Sequence, residues 1–213
     1  GSLIFLMVGF FAGISAGAGV VIARYFGAKD SMRMERAIHT TVAFGLVAGA
    51  LLMLLGILFT PFILRLMGTP QEVLPSSVRY FRIYFCGSLA FVLYNICVGI
   101  MQSVGDSRHP LYYLIFSSVV NVVLDLAFVA VLHLGVGSAA AATVISQFLS
   151  AALCLFRLTR VEEEYRVNLR RVRFDMPMLK EVIRNGLPTG FQNSIIALAN
   201  VVVQSNINAF GKM

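Results

Sequence analysis

The sequence predicts an all-α membrane protein, a polytopic helical bundle, and three observations carry that prediction. Of 213 residues, 58% are hydrophobic and only 13% charged, with a mean hydropathy of +0.83. That is far too apolar for an ordinary water-soluble domain. Apolar runs recur near 3–23, 38–59, 80–101, 111–132, 138–156 and 187–208, each about the twenty residues that cross a bilayer as a helix. Finally, of seventeen Lys and Arg, thirteen fall in three alternate connections, 24–37, 102–110 and 157–185. The connections at 60–79 and 133–137 hold two and none. The positive-inside rule then places 24–37, 102–110 and 157–185 on the cytoplasmic side, and a multi-pass protein of the cell (plasma) membrane is expected. The net charge of +7 and pI near 9.7 are thus a topology signal, and no nucleic acid is expected as a partner.

Taken in order, the first run repeats Gly9, Gly13 and Gly17 with Ala12, Ser15 and Ala16 beside them. Small residues at that spacing make a surface for close helix packing in lipid. A charged connection follows, and the second run carries Gly45 and Gly49 at packing spacing, with Pro61 helping to end it. Gly68, Pro70 and Pro75 mark the next connection, and the third run contains Asn95. The turn Gly105–Pro110 feeds the fourth run, and the stretch HLGVG (133–137) is so short that the fifth must return antiparallel beside it. The stretch 157–185 is solvated, with EEE at 162–164 and RRVR at 170–173. Within it, Asp175 and Pro177 read as the start of a short amphipathic interfacial helix, MPMLKEVIR, ending at Gly186.

The polar residues inside these runs are the candidate functional groups. Asp125 lies roughly seven residues before the 133–137 turn and Thr143 about six after it, so both lie about 10 Å below one membrane surface. Asn121, four residues before Asp125, shares its helix face, with Ser117 a turn further on. A carboxyl, an amide and a hydroxyl therefore converge at membrane depth, and an ionisable group there points to a cavity or ion site. Pairing with a neighbouring helix for packing is the plainer alternative. Asn95, on a helix running inward, reaches a depth near Asn121. The last run presents Gln192, Asn193, Asn200, Gln204 and Asn208, most of them near one face. These amides either bond neighbouring helices or line a wet cavity.

Other chemistry is thin. Cys86, Cys97 and Cys154 fall inside apolar runs with no paired spacing and read as small buried hydrophobes. His39, His109 and His133 sit at helix ends on different sides and cannot form one metal site. There is no phosphate loop, no Ser-His-Asp set and no Cys/His cluster, so neither an ATP-driven pump nor an enzyme is indicated, and no cofactor is expected.

Several stretches carry a resemblance that extends along the whole chain. QSVGDSRHPL, NVVLD, GVGSAAAATVISQ, GISAGAGVVIARYFGAKD and NGLPTGFQNS are similar to the multidrug and toxic compound extrusion (MATE) transporters. The resemblance implies twelve helices in two six-helix lobes, of which this chain would hold helices two to seven. Residues 1–156 would be five helices of the N-terminal lobe, 157–186 the cytoplasmic linker, and 187–213 the first helix of the C-terminal lobe. The first helix and most of the second lobe would lie outside this sequence, an expectation that the sidedness of its two ends shares. Residue by residue, the family pattern implies a coupling site of Asn95, Asn121, Asp125 and Thr143, for H⁺ or, as a metal site, for Na⁺. Of the amides of the last run, Gln192, Asn193, Asn200 and Gln204 are the candidates for lining a cavity.

The implied activity is secondary antiport, exporting drug-like or cationic organic compounds in exchange for H⁺ or Na⁺. A flippase for lipid-linked oligosaccharides, from the same superfamily, is the alternative. It would be expected to place cations in the lobe cavity for a pyrophosphate, and none lies between helix ends. A membrane enzyme or scaffold is the third reading, but it lacks a nucleophile and base at one interface.

Overall fold

In lipid a backbone satisfies its polar groups internally only as helix or closed barrel, and the apolar runs of this chain do so as helices. The computed structural model describes the backbone of residues 2–66, 68–131 and 137–210, and the side chains of 9–66, 68–129, 137–200, 202 and 203. Residues 132–136, with His133, and the side chains of Gln204 and Asn208 lie outside the described residues. The elements are α1 (Ser2–Gly27), α2 (Ser31–Leu66), α3 (Leu74–Cys86), α4 (Ser88–Ser103), α5 (Arg108–Asp125), α6 (Gly137–Arg160) and α7 (Met176–Phe210). A π-helical turn, Leu126–Val131, continues α5, and a 3₁₀ turn spans Leu169–Arg171. Among the described residues, five stretches are long and apolar enough to cross a membrane: Gly9–Gly27, Ser31–Leu66, Leu74–Ser103, Arg108–Val129 and Gly137–Arg160.

Three helices depart from their sequence-based limits, each for a visible reason. Pro61 does not end α2, which runs on to Leu66. A helical proline leaves the carbonyl four residues back without its N–H partner. That carbonyl, Ile57 O, accepts instead from Arg82 Nε at 3.3 Å. The third apolar run is two helices, because the chain breaks at Gly87 between α3 and α4. There α6 presses close: a Cβ on Gly87 would lie 2.5 Å from Gln147 Oε1.

The third departure is α7. The helix starting at Met176 does not stop at Gly186 but continues past Pro188 to Phe210. Gly186 lies where α1 packs close, and a Cβ on it would sit 3.0 Å from Ile14 O. A Cβ on Gly17 would lie 2.2 Å from Gly186 Cα, and one on Gly13 2.4 Å from Gly190 Cα. The glycine stripe expected to pack closely therefore does so, backbone against backbone, along α7.

The driest packing sits at the end of the bundle that carries the basic connections. Ile22, Met34, Ile38, Met101, Leu158 and Val182 are all buried there. Val161, Tyr165 and Val167, from the stretch read as a solvated connector, join the same cluster. Asp106 opens α5, its Oδ1 accepting from the His109 N–H at 3.3 Å. Burial pushes the Asp106 carboxyl up, but hydrogen bonds from His109 and the charges of His109 and Arg157 outweigh it, and the net shift is downward. Toward lipid, the helices present bare apolar side chains, among them Leu58, Phe62, Ile115 and Val119, each more than half exposed.

Candidate functional site

A cavity of about 280 Å³ lies between α4, α5 and α6, at the level the intramembrane polar residues suggested. Asn95 reaches it from α4, Asn121 from α5 and Thr143 from α6. Three of the four residues singled out in the sequence thus share one cavity. Asp125 does not line it. It sits one turn beyond Asn121, at the last residue of α5 before the π-helical turn. Wide turns of this kind occur often at functional sites.

The hydroxyls and amides in the wall come from helix periodicity. Ser117 and Asn121 recur on one face of α5, and Thr143, Ser146 and Ser150 on the facing side of α6. The two rows are stitched by Ser150 Oγ donating to Ser117 Oγ at 2.5 Å. Several polar hydrogens are already committed to the groups' own helices. Thr143 Oγ1 donates to Ala139 O at 3.0 Å, Ser146 Oγ to Ala142 O at 2.9 Å, and Asn95 Nδ2 to Phe91 O at 2.8 Å. Thr143 can still offer oxygen lone pairs, and Asn95 the lone pairs of its Oδ1 beside one remaining amide hydrogen; the lone pairs suit a cation or a proton donor. Asn95 is fixed further by its backbone oxygen, which accepts from Ser15 Oγ of α1.

Two polar atoms beside this wall are left over. Asn121 Nδ2 and Asp125 Oδ1 are buried and have no hydrogen-bond partner among the described residues. A buried polar atom without a partner costs about 1–3 kcal/mol, so each calls for an explanation beyond packing.

Sequence reasoning missed Ser146, Gln147, Ser150 and Tyr94 as wall residues. The three on α6 were within reach, since they recur from Thr143 at helical spacing. The α7 amides stand apart. Gln192 and Asn200 are exposed and Asn193 is half-buried. None of the three lines this cavity. At the basic end of the bundle, α1 and α7 are tied by charge as well as by glycine. Arg24 Nη2 pairs with Glu181 Oε1, and Tyr25 OH donates to Glu181 Oε2 at 2.8 Å.

Residues 1–127 match the MatE family profile. Across 98% of its length the chain is 32% identical to the probable multidrug resistance protein YoeA of Bacillus subtilis, of which it covers 47%. With the multidrug export protein MepA of Staphylococcus saprophyticus it shares 24% identity over 92% of this chain and 43% of that protein. Among solved structures, the inward-facing conformation of a multidrug resistance MATE family transporter of the MOP superfamily superposes with a TM-score of 0.85 at 25% identity. That match covers 93% of this chain and 45% of the transporter. The chain thus spans about half the length of these relatives.

Proposed function

Because the chain belongs to the MatE family of membrane transporters, we propose that it forms most of one lobe of a secondary antiporter. The antiporter exports drug-like or cationic organic compounds in exchange for H⁺ or Na⁺. The observation that supports this best is the pair of orphaned polar atoms, Asn121 Nδ2 and Asp125 Oδ1, beside a wall of oxygen acceptors. A carboxylate there can take up and release a proton. It can equally join Asn95, Asn121 and Thr143 as hard oxygen ligands for Na⁺. Among the described residues no Lys, Arg or His lines the cavity, which favours an organic cation over a lipid pyrophosphate.

The rest of the reading follows the family pattern. Residues 1–156 serve as five helices of the first lobe, 157–186 as its linker, and 187–213 as the opening helix of the second lobe. Gln192, Asn193, Asn200 and Gln204 then face a cavity shared with that second lobe. Alternating access requires both lobes. In proteoliposomes holding the full-length protein, an imposed H⁺ or Na⁺ gradient is expected to drive ethidium uphill. Movement that ignores both gradients would refute antiport.

In this orientation the connections 24–37, 102–110 and 157–185 face the cytoplasm of the plasma membrane. Cysteines replacing Ala28 and Glu163, in a background without Cys86, are expected to resist an impermeant maleimide in intact cells. A cysteine replacing Glu72 is expected to react. The reverse labelling pattern would invert the assigned topology.

A further inference from the structure

A second cavity, of about 350 Å³, opens at the basic end of the bundle, between the first turns of α2 and the segment leading into α7. Four guanidinium groups line it, on Arg36, Arg170, Arg171 and Arg173, against the carboxylates of Glu35 and Asp175. Arg171 Nη1 lies 2.9 Å from Glu35 Oε1, and Arg36 Nη1 lies 3.8 Å from Asp175 Oδ2. Arg170 and Arg173 enter no ion pair among the described residues. Asp175 is also engaged at the start of α7, its Oδ1 accepting from the Met178 N–H at 3.2 Å. Two cations are thus left without a counter-charge.

The segment that carries them is held in place. His39, buried in the floor, donates from Nδ1 to Glu35 O at 2.7 Å. Its Nε2 accepts from the Asn168 N–H at 3.0 Å. Both ring nitrogens are therefore used, and the imidazole is the neutral Nδ1–H tautomer. Thr40 Oγ1 accepts from the Asp175 N–H at 3.2 Å. The three arginines at 170, 171 and 173 thus sit between two anchors on α2.

Depth decides what meets this site. Helix α2 has 36 residues, about 54 Å of rise, whereas the hydrocarbon core is about 30 Å thick. Its apolar run begins near residue 38, so residues 32–40 fall at the level of the lipid headgroups. Exposed apolar side chains flank the cations there: Met32, Leu169, Phe174 and Met176, the last 70% exposed. Bare apolar groups beside unpaired guanidiniums are the pattern of an interfacial surface.

We propose that this cavity binds the phosphate of an anionic phospholipid, with Arg170 and Arg173 as its ligands. Guanidinium suits a phosphate because its planar fork meets two oxygens at once. A free phosphate ion would share those contacts, but the headgroup depth and the apolar rim fit a lipid. Its acyl chains would lie along Phe174 and Met176. The inference is independent of which compound the transporter exports.

Native mass spectrometry of the detergent-solubilised full-length protein tests it with two probes, dioleoylphosphatidylglycerol and dioleoylphosphatidylcholine. The wild-type protein is expected to retain one phosphatidylglycerol at concentrations where phosphatidylcholine is lost. Arg170→Gln/Arg173→Gln is expected to weaken phosphatidylglycerol retention by roughly tenfold or more, while Arg170→Lys/Arg173→Lys keeps most of it. Arg160→Gln, an exposed cation outside the cavity, leaves it unchanged. Equal retention of both lipids by the wild type overturns the proposal whatever the variants do. So do unchanged binding in the double Gln variant and an equal loss in Arg160→Gln. Displacement of the lipid by millimolar inorganic phosphate would assign the site to a free anion instead.

Discussion

Replacing Asp125 by Asn in the full-length transporter is expected to abolish gradient-coupled efflux while leaving the protein's level in the membrane unchanged. The amide matches the carboxyl in shape, so α5 and its π-helical turn keep their packing. What the change removes is a titratable, ionisable oxygen at membrane depth. Proton exchange needs that group because an amide does not exchange its charge state near neutral pH. At the proposed site sodium binding would need it because the other candidate ligands, Asn95, Asn121 and Thr143, are all neutral, and a cation leaving water for low dielectric requires a compensating charge. Thr143→Ala separates the two: it is expected to cut Na⁺-driven efflux several-fold and H⁺-driven efflux little, since a proton needs fewer ligands. The readout is ethidium efflux under each imposed gradient, with membrane levels checked by immunoblot. Wild-type efflux from Asp125→Asn would reduce this residue to a packing role.

The second large effect concerns folding. Gly17→Ala is expected to destabilise the purified protein by about 3 kcal/mol, the upper end of what overpacking costs. The added methyl would lie 2.2 Å from Gly186 Cα, an atom of the backbone that cannot rotate away. Helices α1 and α7 must then part, which loosens Gly13 against Gly190 as well and strains the Arg24–Glu181 pair. Gly13→Ala is expected to behave alike. Gly27→Ala is the control, because no atom from beyond its own turn of helix lies within 4 Å of the position its Cβ would take. Thermal melting followed by size-exclusion chromatography separates these outcomes. A Gly17→Ala protein that melts with the wild type would mean that the two helices do not touch there.

Most of the fold was legible because lipid enforces two simple rules, helix length and charge sidedness, and both are written into composition. The polar constellation was legible for the same reason. Asn95, Asn121 and Thr143 are conspicuous against an apolar background, and helical spacing alone sets their faces. Asp125 was harder to place. A spacing of four residues puts it on the Asn121 face, but the helix widens immediately after it, and no residue type announces a π-helical turn. Pro61 and Gly186 misled because their local preference is to end helices. A guanidinium from α3 and a glycine stripe from α1, both distant in sequence, override that preference. The basic cavity was invisible for a related reason. RRVR reads as a solvated run until His39 and Thr40 pin the backbone on either side of it, at Asn168 and Asp175, to α2.

The glycine seam also sets a timetable. Gly17 and Gly186 are separated by roughly 170 residues of chain, and a ribosome adding about 5–20 residues per second needs about 10–30 s to bridge them. Through that interval α1 is already made while its partner is not. In water an uncovered helix face would collapse onto the nearest apolar surface. In a bilayer a stripe of glycine and alanine has no such urgency, because acyl chains cover it as readily as they cover leucine. The seam can therefore stay open, neither aggregating nor mispairing, until the last of the described helices arrives to close it.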